Sequence, residues 1–267
     1  MRLSQRAREL VQRCDELLPF ADADGIVCLS ATKGEAPAAE RLRVLLAHAM
    51  GQFDLSTLLA TAGPKGSKSK TLEDWLREEF FEQHCAIFHN RPFIWHIWDG
   101  HKNGFSALVN YHRLDHASLE KITFAYLGDW IRRQQAAVDA GEAGSDARLA
   151  AARLLQARLK LILEGEPPHD IFVRWKPLSA QVIGWHPDLN DGVRRNIRPF
   201  LAQDIPGGKK GAGILRNKLN IKWEKDRGKE PQRDKAEFPW FWNGSTFTGD
   251  RLNDIHLTRE QKEGARK

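Results

Sequence analysis

At 267 residues, with 41% hydrophobic and 28% charged side chains, the chain is long enough to bury one large core or two small ones, and its composition excludes a disordered tail. No run approaches the roughly eighteen apolar residues of a membrane span, and the charged start Met1-Arg2-Leu3-Ser4-Gln5-Arg6 carries no apolar signal core, so a cytoplasmic protein without a membrane partner is expected. The net charge of +6 is modest but uneven: residues 192–267 hold 18 Lys/Arg against 10 Asp/Glu, which leaves the first 191 slightly acidic.

In chain order, apolar residues first recur at helical spacing from Leu3 to Leu18 (Leu3, Ala7, Leu10, Val11, Cys14, Leu17, Leu18), with Pro19 closing an amphipathic helix. Ile26 to Leu29 reads as a short buried strand or an extended link. Ala38 to Met50 is helical, with Leu42, Leu45, Leu46 and Ala49 on one face. The breakers and short polar residues from Gly63 to Lys70 mark a linker. Thr71, followed three residues on by Asp74, caps a helix whose stripe of Trp75, Leu76, Phe80 and Phe81 continues towards Phe88.

Two aromatic and β-branched runs, from Pro92 to Trp98 and from Phe105 to Tyr111, flank Asp99-Gly100-His101-Lys102-Asn103-Gly104 and predict a hairpin. On its first strand His96 is expected to be half-exposed, opposite in direction to Trp95 and Ile97. Two helices follow, from about Ser118 to Val138 and from about Ser145 to Leu163, joined at Ala140-Gly141-Glu142-Ala143-Gly144 as an antiparallel pair. Beyond Pro167-Pro168 the pattern is irregular, with a possible strand from Ile171 to Trp175. The reading is α+β, in three parts: a helical N-terminal segment over 1–66, a hairpin and helical-pair core over 67–191, and an irregular, basic, Gly- and Trp-rich region over 192–267.

Several local patterns suggest chemistry and then lose it on inspection. Cys14, Cys28 and Cys85 are odd in number and lack C-x-x-C spacing, so free, part-buried thiols are expected. Six of the ten histidines lie between His84 and His116, yet His84, Cys85 and His89 lack a complete ligand set, and no metal site is expected. Glu166-Pro167-Pro168-His169 has a longer acid and a poorer stacking ring than base-flipping chemistry needs, so it reads as a helix terminator. Glu260-Gln261-Lys262 has the spacing of metal-dependent nucleases but sits in a polar, helix-like tail and reads as a solvated face. The stretch from Gly207 to Gly213 lacks the order of a P-loop; a phosphate cradle and a surface loop both fit it. No catalytic residue is assigned.

The combination from Arg194 to Trp242 is stronger than these pieces. Arg194, Arg195, Arg198, Lys209, Lys210, Lys222, Lys225, Arg227 and Lys229 are the expected phosphate contacts, while Trp223, Trp240 and Trp242 can stack on bases or anchor a partner. Glu224, Asp226, Glu230 and Asp234 lie among them and can pair with some of the cations.

The wording of this region, in Asn190 to Phe200, Gly213 to Glu230 and Gly249 to Thr258, resembles the C-terminal end of large bacterial adenine-specific DNA methyltransferases. These are the PglX-like and related enzymes of phage-defence and type II restriction-modification systems. Arg91 to Gly100 and Gly104 to His112 look like the hairpin preceding that end, and the likeness is clearest from about residue 71 onwards. The resemblance implies that the methyl-donor turn and the Asn-Pro-Pro-aromatic motif lie in an upstream domain, since no position here matches either. S-adenosylmethionine would then belong to that domain, and no cofactor is expected in this chain. The function implied is DNA binding, or support of target recognition, beside a catalytic methyltransferase partner. The alternative is a scaffold that docks the catalytic domain without touching DNA.

Overall fold

A computed structural model of the chain describes residues 16–62, 66–88, 91–164, 234–236, 239 and 242–248. Most of the predicted helix over Leu3–Leu18 and the possible strand at Ile171–Trp175 lie outside the described residues. The architecture is α+β, built around an antiparallel three-stranded sheet in the order β1-β3-β2. The expected hairpin supplies β2 (Ile94–Trp98) and β3 (Ser106–Asn110), with Trp95 opposite Val109 and Ile97 opposite Ala107. β1 (Ile26–Cys28) adds to the other side of β3, with Ile26 opposite Val109 and Cys28 opposite Ala107. Of Ile26 to Leu29, Ile26–Cys28 is therefore strand and not link, and the N-terminal part shares its sheet with the hairpin across the linker.

The period-2 alternation gives the sheet two faces. Ile26, Cys28, Trp95, Ile97, Ala107 and Val109 point into the main core cluster. That face is closed by a helical rod made of α5 (His116–Glu120), a π-helix (Lys121–Tyr126) and α6 (Leu127–Asp139), and by the long α7 (Ser145–Glu164). Leu119, Ile122, Tyr126, Ala152, Leu155, Leu159 and Ile162 are essentially fully buried there. Arg148 Nε donates to Gln134 Oε1 and, further along, Gln156 Nε2 donates to the Thr123 carbonyl, which is the register of an antiparallel pair. Gly141 and Gly144, both in the left-handed region, turn the chain between α6 and α7.

The second face carries Val27 and Leu108. It packs against a smaller cluster of Leu29, Ala38, Ala39, Leu59, Leu72 and Leu76 from α1 (Ala38–Met50), α2 (Leu55–Ala60) and α3 (Leu72–Glu78). Thr71 caps α3 as expected, its Oγ1 accepting from the Asp74 N–H at 3.1 Å. The predicted single helix towards Phe88 is instead two, α3 and α4 (Phe80–Ile87), broken at Glu79. Glu79 is held there by its carboxylate, which accepts from the Lys68 N–H and the Ser69 hydroxyl ten residues earlier. His96 is fully buried, correcting the half-exposed expectation. α4 packs beside β2 and sets the Phe81 ring edge-on to the imidazole at 6.3 Å.

Candidate nucleic-acid interface and docking surfaces

Arg194, Arg195, Arg198, Lys209, Lys210, Lys222, Lys225, Arg227, Lys229, Trp223 and Trp240 lie outside the described residues. Trp242 is described. It sits on β4 (Trp242–Asn243), opposite Phe247 on β5 (Thr246–Phe247), and Gly244 at φ 60 makes the tight turn between them. The Trp242 and Phe247 rings meet edge-on, with centroids 5.5 Å apart, and part-bury one another.

Among the described residues a polar cluster lies where the chain enters β1. Asp22 Oδ1 accepts the backbone N–H groups of Asp24, Gly25 and Ile26, while Oδ2 pairs with Arg41 of α1 at 2.6 Å. Burial alone would raise the Asp22 carboxyl, but hydrogen bonds with Asp24, Arg41 and the loop amides outweigh it and hold the group at about 2. Next to it, Asp24 pairs with Lys121 and accepts from the Tyr126 hydroxyl, which also lies 2.8 Å from Glu35. Burial and these two carboxylates push the Tyr126 hydroxyl well above its usual range. The geometry is that of a structural clasp joining the β1 entrance to the two ends of the π-helix. Sequence reasoning passed over it, although Asp22-Ala23-Asp24-Gly25 before an apolar run is a turn signal.

The buried titratable groups are likewise committed to the fold. His84 Nε2 accepts from the N–H groups of Phe93 and Ile94 at 3.1 and 3.0 Å, so that lone pair is spent on the backbone and not on an ion. Burial lowers the imidazole to about 4. Asp99 closes the hairpin loop by accepting from the His101 and Phe105 N–H groups, and its burial raises the carboxyl to about 7. A Cβ at Gly104 would overlap that carboxylate, which explains a glycine there. Cys28 and Cys85 are free but fully buried, more so than expected; burial raises Cys28 to about 12 and pushes Cys85 higher still. Thiols so held are protonated at neutral pH and poor nucleophiles. Cys14 and His89 lie outside the described residues, and among the described residues no group of three or more His, Cys, Asp or Glu is placed to hold a metal ion.

Two concave surfaces among the described residues are mostly apolar. A cavity of about 430 Å³ opens between the second sheet face and the helices, lined by Val27, Ile94 and Leu108 on one side and Leu42, Leu45, Trp75 and Phe80 on the other. Phe20, Ala21 and Asp22 form its lip. A second cavity of about 310 Å³ shares Leu42, Trp75 and Phe80 and extends to Leu46, Leu58 and Ile87, so the two form one trough along α1. Such a lining suits an apolar side-chain array better than acid–base chemistry. No helix among the described residues is long and apolar enough to cross a membrane.

No protein-family model matches the sequence. Over 149 residues, 54% of the chain, it is 28% identical to the adenine-specific methyltransferase BrxX of Escherichia coli O9:H4 (strain HS). The matched stretch spans 12% of that much longer relative.

Proposed function

We propose that this chain is the DNA-binding or target-recognition-supporting portion of an adenine-specific DNA methyltransferase or restriction-modification system of phage defence, acting in the cytoplasm while the methylation chemistry resides elsewhere. The observation that supports this reading is the distant similarity to a small part of a large adenine-specific methyltransferase. The concentration of Lys and Arg beyond residue 191 adds to it. In this reading Arg194, Arg195, Arg198, Lys209, Lys210, Lys222, Lys225, Arg227 and Lys229 neutralise DNA phosphates, and S-adenosylmethionine is held by the catalytic portion.

The test is the salt dependence of duplex binding. Each neutralised phosphate contributes about 0.9 to the slope of log affinity against log salt, so replacing Lys222, Lys225, Arg227 and Lys229 by Ala should flatten that slope by about 3 to 4. Absent or salt-independent binding would overturn the reading. The scaffold alternative draws support from Trp242, whose ring forms an aromatic pair on a small hairpin and with Trp223 and Trp240 can anchor a partner. It predicts binding to the catalytic portion, loss of that binding in Trp242→Ala, and none to DNA.

A further inference from the structure

One face of the sheet is sealed by the α5–π–α6 rod and α7, whereas the other opens on the trough along α1. Val27, Ile94 and Leu108 from the sheet, Leu42, Leu45 and Leu46 from α1, and the rings of Trp75 and Phe80 are all only half-buried there. A concave apolar surface of this size is the usual form of a small-molecule site, and its few polar groups decide which molecule fits. In the larger cavity those groups are Asp22, Arg41, Asn110 and Arg113.

These four residues meet at one end, around the entrance to β1. Arg41 reaches Asp22 Oδ2 at 2.6 Å, Arg113 Nη1 donates to the Asp22 carbonyl at 3.0 Å, and the Asn110 N–H donates to the Gly25 carbonyl at 2.8 Å. The charges of the lining do not cancel. The Asp22 carboxylate is taken up by Arg41 and the loop amides, so that pair is neutral, whereas the guanidinium of the exposed Arg113 bonds an uncharged carbonyl. Asn110 Oδ1 already accepts from the His112 N–H at 2.9 Å, which leaves its amide N–H groups as the donors it can offer. The polar end of the lining therefore carries one net positive charge beside a free amide donor, and the rest is hydrocarbon and aromatic ring.

We propose that this cavity binds a single-chain amphiphile with a carboxylate end, its alkyl chain lying along α1 among Leu42, Leu45, Trp75 and Leu108 and its carboxylate meeting Arg113 and the Asn110 amide. The part of α1 that lines the two cavities, from Ala38 to Leu46, runs about 12 Å, the reach of an extended decyl chain. An alkyl chain suits the lining because it brings no polar group to strand there, whereas an extended peptide brings a backbone N–H and C=O with every residue. One guanidinium balances one negative charge; a dianionic head would set its second charge beside Asp22. This inference goes beyond DNA binding and does not depend on it.

The probes are decanoate and its neutral counterpart decanol, each titrated calorimetrically into the full chain below its aggregation limit. Trp75 is the reporter inside the cavity: its indole N–H donates to Gln83 Oε1 at 3.1 Å, and Trp75→Phe identifies its resonance. Decanoate should bind as a single molecule per chain and shift that resonance. Arg113→Gln should weaken decanoate about fivefold and leave decanol unchanged, because only one of the two carries the charge that Arg113 meets. Leu45→Asp should abolish binding of both. If Leu45→Asp does not fold, the Trp75 resonance and the Arg113→Gln comparison decide the matter without it. Decanoate that fails to bind, or binds without moving Trp75, overturns the proposal, as does an equal effect of Arg113→Gln on decanoate and decanol. Self-association of the unaltered chain that persists in decanoate and is lost in a folded Leu45→Asp assigns the trough to a second copy and overturns it too.

Discussion

At neutral pH the His84 imidazole is uncharged, because protonation would place a donor against the Phe93 and Ile94 N–H groups it now accepts from. Its folded value of about 4 lies below the usual 6.5, so the folded state binds fewer protons between them; its contribution is full above pH 6.5 and lost as pH falls to 4. Asp99 has the opposite sign. Its folded value of about 7 lies above the usual 3.8, the folded state binds more protons between them, and stability from this group is lost as pH rises through that window. Asp22, held at about 2, stays ionised throughout. Between pH 4 and 6.5 these two contributions therefore oppose each other. Asp99→Asn should lose stability towards acid and His84→Gln towards neutrality, read as urea midpoints at pH 4.5, 5.5 and 6.5; parallel profiles would contradict both assignments. None of this was visible in the sequence, where His84 stood out only as a metal-ligand type. His96 shows the limit more directly: alternation orients its side chain to the second face but cannot tell that α4 and Phe81 cover that side of β2.

The elements were legible where their signals are local. Ala38–Met50, the Thr71 cap and the hairpin all declare themselves in short local stretches of sequence, and the structure places them as read. The break at Glu79 was not legible, because its cause is a pair of donors at Lys68 and Ser69. Nor was the π-helix, since apolar periodicity reads the whole rod as one helix and a six-residue widening barely shifts the stripe. Widening a helical turn frees backbone carbonyls, and here Gln156 Nε2 takes the Thr123 carbonyl at 3.0 Å, while Tyr126 and Lys121 clamp the two ends to Asp24. Tyr126→Phe keeps the ring packing and removes the clamp's hydroxyl. It should cost about 1–3 kcal/mol of stability and speed amide exchange over 121–126 more than over 145–164. Equal protection in both segments would show that packing alone holds the π-helix.

At the scale of the molecule, the sequence pointed to an α+β chain and to a linker near residues 63–70, but not to what crosses it. The pairing of Ile26 with Val109 spans about eighty residues, and pairings of that range leave no mark on local patterning. That one feature, a strand from before the linker inserted beside β3, makes the connection topologically dispensable once folding is complete. Lys68 and Lys70 are exposed in it, while β1 and the Leu29–Ala38–Leu72–Leu76 cluster hold the two sides together without it. A chain carrying a site-specific protease site there and cut after folding should elute as one particle in native buffer and fall into two pieces only in denaturant. The same two pieces expressed separately must recover β1 by bimolecular encounter, so they should reassemble slowly and at a rate that rises with concentration. Covalent continuity across residues 63–70 would then be a requirement of folding kinetics and not of the folded state.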